Sequence, residues 1–78
     1  MKSFDEKVFL DIVSSVLKTD PSKPGLRMGQ TAGWDSVAHL DLIFQLERAF
    51  DANFDLEKVA ELDSVESLRF ELKRILGP

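Results

Sequence analysis

The chain contains no cysteine and a single histidine, His39. The first absence removes disulfides, thiolate metal sites and a cysteine nucleophile together. With one imidazole, a histidine-based metal site has too few ligands. Any thiol chemistry must come from an added cofactor. No stretch approaches the roughly 20 apolar residues of a membrane span, and the opening MKSFDEK has no signal-peptide apolar run. The expected location is therefore the cytoplasm. Basic charge is also short. Ten Lys and Arg against fourteen Asp and Glu leave a net charge of −4 and a pI near 4.8. Phosphate backbones and anionic lipids repel such a surface, so nucleic acid and membrane are poor partners, and basic patches on other proteins are better ones.

What remains is enough for one domain spanning residues 1–78. A chain of this length buries only about 60% of its unfolded surface, and 44% apolar content with six Phe and one Trp suffices for a compact core. The pattern is helical throughout, with no strand-like alternation and no internal repeat. Ser3 and Glu6 have capping-box spacing. Val8, Phe9, Ile12, Val13, Val16 and Leu17 then recur three and four apart, which predicts a first helix over residues 4–18, ended by Pro21 and Pro24. A long connection over residues 19–34 follows, with Leu26, Met28 and Trp34 as its apolar anchors. Asp35 caps a second helix reaching Phe50 or Asp51, and Asn53 supplies a left-handed stop. Asp55 caps a short helix over residues 57–61. Asp63 with Glu66 opens the last helix through Val65, Leu68, Leu72, Ile75 and Leu76. Lys73 and Arg74 complement its dipole, and Gly77 and Pro78 finish it. The fold class is all-α: a bundle of three main helices and one short helix, with a long loop between helices one and two.

The informative stretch is Gly33-Trp34-Asp35-Ser36-Val37-Ala38-His39-Leu40. Asp-Ser caps helices well and needs no further role. The same Asp-Ser-Val recurs at Asp63-Ser64-Val65, so the tripeptide alone does not single out Ser36. Context does. Ser36 follows a long glycine-containing loop and a tryptophan, and a serine on the first helical turn has its hydroxyl beside unpaired N–H groups, where a phosphodiester meets the favourable end of the dipole. Helix two also carries two apolar patches. Leu42, Ile43, Leu46 and Phe50 form a core face, while Val37, Leu40 and Phe44 form a second patch near Ser36, flanked by Asp41 and Asp51, with Glu47 between the two. The second patch is either buried by the bundle or a docking surface. Phe4, Phe9 and Phe70 are read as core. Trp34 is read as pinning the loop, and His39 as a partly buried or solvent-facing residue one turn from Ser36. Without a third orienting group or a G-x-S-x-G elbow, the pair Ser36 and His39 does not amount to a hydrolase. Charges such as Glu57, Lys58, Glu66 and Arg69 are read as solvated faces.

The run GWDSVAHLDLIFQLERAFDANFDLEKVAELDSVESL resembles the central and C-terminal part of acyl carrier proteins. It covers helix two, the short helix and the start of the last helix, and chain length agrees. Asp-Ser-Val is similar to that family's Asp-Ser-Leu attachment motif. The resemblance implies that a phosphopantetheinyl transferase links 4′-phosphopantetheine from coenzyme A to Ser36, with Asp35 assisting the transferase's magnesium. It also implies that the arm's thiol holds acyl intermediates as thioesters, that the chain is a carrier without catalysis of its own, and that helix two (Val37, Leu40, Asp41, Phe44 and Glu47) docks on the loading ligase and downstream enzymes. The pathway implied is fatty-acid, polyketide or specialised biosynthesis. Two departures point away from bulk fatty-acid synthesis. Ala38, His39, Arg48 and Ala49 dilute the acidic helix two, and Trp34 precedes the aspartate as in carriers of polyketide, nonribosomal-peptide or specialised pathways. Bulky rings at Phe44 or Phe50, Phe54 and Phe70 favour a short or polar cargo. An aminoacyl or peptidyl carrier and a cofactor-free helical interaction module are the alternatives, and a monomer is expected.

Overall fold

A computed structural model describes residues 3–20 and 25–77. The described residues form four helices, α1 (Glu6–Leu17), α2 (Ser36–Phe50), α3 (Leu56–Val59) and α4 (Val65–Leu76). The class is all-α. No helix among the described residues is long and apolar enough to cross a membrane.

Each helix start is set by an oxygen able to take up free N–H groups. For α1 that oxygen belongs to Asp5, which accepts from Lys7 N at 3.0 Å and Val8 N at 3.2 Å. This corrects the expected Ser3–Glu6 capping box. A carboxylate bonded to two N–H groups at the positive end of the dipole outcompetes a neutral hydroxyl. Glu6 turns instead to Arg69. Helix α1 ends on Lys18 in the left-handed region, its N–H donating to Ser14 O; Pro21 and Pro24, expected to end it, lie outside the described residues. Asp35 caps α2 through Ala38 N at 2.9 Å, as expected. The left-handed stop is Asp51 (φ 52°) and not Asn53, since aspartate tolerates that region almost as well as asparagine. Asp55 caps the short helix through Glu57 N, and α3 spans Leu56–Val59 before a turn through residues 60–61.

The last helix shifts by one residue from expectation. Ser64 is the cap of α4, and its reciprocal partner is Ser67 rather than Glu66. Asp63 is drawn out of the capping role by the loop. Its carbonyl accepts from Met28 N at 2.8 Å, Val65 N donates to Leu26 O at 3.3 Å, and its carboxylate lies 3.9 Å from Arg27. These bonds form an isolated antiparallel bridge between Arg27 and Ser64. Gly77 N–H closes α4 on Lys73 O; Pro78 lies outside the described residues.

One core unites the helices. Phe9, Val13 and Leu17 enter it from α1, Leu42, Ile43, Leu46 and Phe50 from α2, and Val65, Leu68, Leu72 and Leu76 from α4. Each such side chain contributes about 1.5–3 kcal/mol by leaving water. Ala52, Phe54 and Leu62 add to it from the connections, and Trp34 from the long loop. Phe4 covers one end, stacked on Phe50 at 5.8 Å and tilted to Phe9 at 5.6 Å. Phe70 is a correction: it is 73% exposed. It stands two residues from both Leu68 and Leu72, about 200° round the helix from each, so burying them turns it outward. Val8 on α1 is likewise exposed. Conversely, Glu71 is buried, forked onto Arg74 at 2.7 and 2.8 Å with Lys58 of α3 at 3.8 Å. Arg69, expected on a solvated face, is four-fifths buried; it bridges Glu6 and Glu66 and lies over the Phe9 ring.

Candidate functional site

The end of the long loop delivers the chain to α2 with little slack. Arg27 N donates to Thr31 Oγ1, Thr31 N to Arg27 O, Trp34 N to Thr31 O and Gly29 N to Trp34 O. Leu26 and Met28 pack against the core. Gly33 takes φ 84°, a region open to glycine, and brings its backbone to the carbonyl of Leu17 at the end of α1. Next comes Trp34, whose side chain is 2% exposed. The loop is pinned by it, as the sequence suggested.

Asp35 and Ser36 follow at once. Both are exposed. Because Asp35 supplies the capping oxygen, Ser36 is the first helical residue, and among the described residues no hydrogen bond engages its hydroxyl. Beside it lies an open cleft of about 410 Å³ running back over Met28, Gly29, Thr31, Gly33 and Trp34. Two glycines are part of the cleft lining, and a Cβ added at Gly29 would meet nothing within 4 Å. A flexible polar chain leaving the Ser36 oxygen therefore has room to run along it. The N–H groups of Ser36 and Val37 precede the one held by Asp35, at the positive end of the α2 dipole.

Ser64 shows what the same tripeptide does when committed to structure. It is half-buried, and its hydroxyl accepts from Ser67 N at 3.1 Å and meets Ser67 Oγ at 3.0 Å.

Of the residues expected on the docking face, the structure leaves Val37 (74%), Leu40 (47%) and Phe44 (59%) exposed. The second apolar patch is thus on the surface and not in the bundle. Asp41 is exposed beside it and accepts from Gln45 at 3.2 Å. A groove continues the patch toward α1, lined by Ile12, Asp41, Phe44, Gln45, Arg48 and Ala49. Glu47 does not share the face freely. Its carboxylate accepts from Phe54 N at 2.8 Å and staples the chain leaving α2.

His39 is also placed differently from expectation. It is 3% exposed. Its Nδ1 accepts from Trp34 Nε1–H at 3.1 Å, and its Nε2 lies 2.9 Å from the carbonyl oxygen of Val59 at the end of α3. Both ring nitrogens are engaged inside the protein, which leaves none to take a proton from Ser36. Sequence reading missed this pairing because its partners lie five residues back and twenty ahead. Its one local signal was polar: a histidine among the apolar positions of α2, close after a loop tryptophan. No family model, no curated protein and no solved structure matches this chain.

Proposed function

We propose that the chain is an acyl carrier, holding acyl or aminoacyl groups on a 4′-phosphopantetheine arm at Ser36 and presenting them to partner enzymes. The observation that carries this reading is the division of labour at the start of α2. Asp35 does the capping, so the Ser36 hydroxyl is exposed and unengaged at the first helical position, beside an open cleft. Attachment requires a hydroxyl that can reach phosphorus. The Ser36 oxygen attacks the coenzyme A phosphoanhydride, the bond to the adenosine bisphosphate half breaks, and the hydroxyl proton passes to the transferase.

Ser36 and the first-turn N–H groups would hold the phosphodiester, and the cleft over Gly29, Thr31 and Trp34 would take the start of the arm. Asp35 uses one carboxylate oxygen on Ala38 N; the other is available to the transferase's magnesium. When bound, the arm supplies a thiol that takes the cargo as a thioester, chemistry that a chain without cysteine lacks. Val37, Leu40 and Phe44, edged by Asp41, form a small apolar patch within reach of Ser36, suited to brief docking of successive enzymes. The net charge of −4 favours partners with basic surfaces.

The test is intact mass after incubation with coenzyme A, magnesium and a broad-specificity phosphopantetheinyl transferase. Wild type and Ser64→Ala gain one phosphopantetheine, and Ser36→Ala gains none. A folded wild type that gains nothing leaves a cofactor-free interaction module as the better account.

A further inference from the structure

We propose that His39 is a positioning residue for Ser36, tying the turn that carries the serine to the backbone of α3 through Trp34 on one side and Val59 on the other. The inference about conformation stands on the hydrogen bonds alone; its consequence for modification rests on the carrier reading.

The direction of the chain of bonds follows from chemistry. An indole N–H only donates, so His39 Nδ1, 3.1 Å from Trp34 Nε1, is the acceptor and carries no hydrogen. The ring's hydrogen is therefore on Nε2, which donates to Val59 O at 2.9 Å. No buried side-chain nitrogen or oxygen among the described residues is left without a partner. Both ends matter to the site. Trp34 is two residues ahead of Ser36, and its backbone is already bonded to Thr31 O and Gly29 N. His39 N donates to Asp35 O in the first helical turn, so His39 is bonded through its side chain to Trp34 and through its backbone to Asp35, the two residues before Ser36.

At the other end α3 has little else to hold it. It is four residues long, leaves Leu56 81% exposed, and packs only the half-buried Val59 against the core. Beyond the His39 bond, its described polar tie to the rest of the bundle is the 3.8 Å approach of Lys58 to Glu71. A displacement of α3 removes the acceptor for His39 Nε2–H. The imidazole then loses one of its two ties, and the indole, still held by core packing, loses a fixed acceptor for its N–H. The seat of α3 and the geometry of the Ser36 turn are one element with two ends.

The chain has one Trp and one His, so the spectroscopic signals of the pair are unambiguous. Amide hydrogen exchange by NMR is compared, before any modification, in wild type, Trp34→Phe, His39→Phe and His39→Gln. Glutamine can both accept from the indole and donate to the carbonyl. In Trp34→Phe and His39→Phe the amides of Ala38, His39 (or its replacement), Glu61 and Leu62 exchange about tenfold or more faster, while those of Leu46 and Leu72 stay within about twofold. His39→Gln restores at least part of the protection at both ends. Loop-end Trp34→Phe reaching Glu61 and Leu62, whose N–H groups bond back to α3 carbonyls, is the result specific to a relay.

Unchanged exchange, or a uniform rise that includes Leu46 and Leu72, overturns the proposal in favour of an ordinary core bond. The same variants then serve as transferase substrates. Turnover falls about tenfold in His39→Phe with the KM for the carrier little changed, since the exposed patch is intact. A fall in affinity alone contradicts positioning. Wild type that is never modified sinks the carrier reading and leaves the exchange result standing.

Discussion

Ser64 caps α4 with its own hydroxyl, whereas Ser36 stands one residue inside α2 and leaves the capping to Asp35. The two serines share both neighbours in sequence, so the difference is tertiary. The loop bonds to the backbone on either side of Ser64, at Asp63 O and Val65 N, and holds that segment extended until the serine. Among the described residues no such bridge precedes α2, and Asp35 reaches its cap position first. One copy of the tripeptide is structural and the other is left open.

This contrast predicts unequal stability effects. Ser64→Ala removes a capping box and should lower stability by about 1 kcal/mol, a fall of about 4–8 °C in Tm for a domain this size. Ser36→Ala should stay within about 0.5 kcal/mol of wild type, and Asp35→Ala should resemble Ser64→Ala. Thermal melts of the three variants check this. A Ser36→Ala protein destabilised as much as Ser64→Ala would mean that the Ser36 hydroxyl is structural.

The aromatic residues divide as sharply. Phe50 is 2% exposed and stacks on Phe4, so Phe50→Ala should cost about 3–5 kcal/mol. Phe44→Ser and Phe70→Ser remove rings already in water and should change stability by about 0.5 kcal/mol or less. Urea midpoints with unchanged slopes give the comparison. Of the two surface rings, only Phe44 lies on the patch near Ser36, so under the carrier reading only its loss slows processing by partner enzymes.

The helices were legible because caps and periodicity agree locally. Asp35, Asp55 and the apolar spacing of α2 and α4 carry their own answer. The Ser36 turn was legible for the same reason, and so was the pinning by Trp34. Ser64's register was not, since Asp63 and Ser64 are both good caps and a loop over thirty residues upstream decides between them. The exposure of Phe70 follows from the phase of Leu68 and Leu72, but an aromatic side chain invites a core reading whatever its phase. His39, Glu47 and Glu71 were the harder cases. Each is polar, and each is held by a partner that no local pattern announces: Trp34 and Val59 O, Phe54 N, and Arg74 with Lys58.

Arg69 fastens the start of α1 to α4. It meets Glu6 with both Nε and Nη2 at 3.1 and 2.9 Å and Glu66 at 2.8 Å, and its side chain is 20% exposed. A bidentate partially buried pair exceeds an ordinary surface pair, though Glu6 is half in solvent. A double-mutant cycle of Glu6→Gln and Arg69→Met should give a coupling of about 0.5–1 kcal/mol. In 1 M salt, where the screening length is about 3 Å, the coupling should shrink but persist. Zero coupling at low salt would mean that Arg69 acts only by packing over Phe9.

Glu71 makes stability depend on pH in a defined direction. The fork from Arg74 holds its carboxyl below the usual value; burial pushes the other way and the charges of Arg74 and Lys58 reinforce the fork. A depressed folded pKa adds stability that is fully present above the unfolded value of about 4.3 and is lost as pH falls through the folded one. Arg74 stays cationic throughout. At neutral pH, Glu71→Gln should therefore be less stable by about 1 kcal/mol, because the amide keeps the shape but not the charged fork. Lowering the pH from about 6 toward about 3 moves the wild-type carboxyl toward its protonated form, and the gap should narrow. Urea unfolding of both proteins across that range measures it. A gap that stays constant would mean that Glu71 contributes through shape alone and that the Arg74 fork adds nothing to the fold.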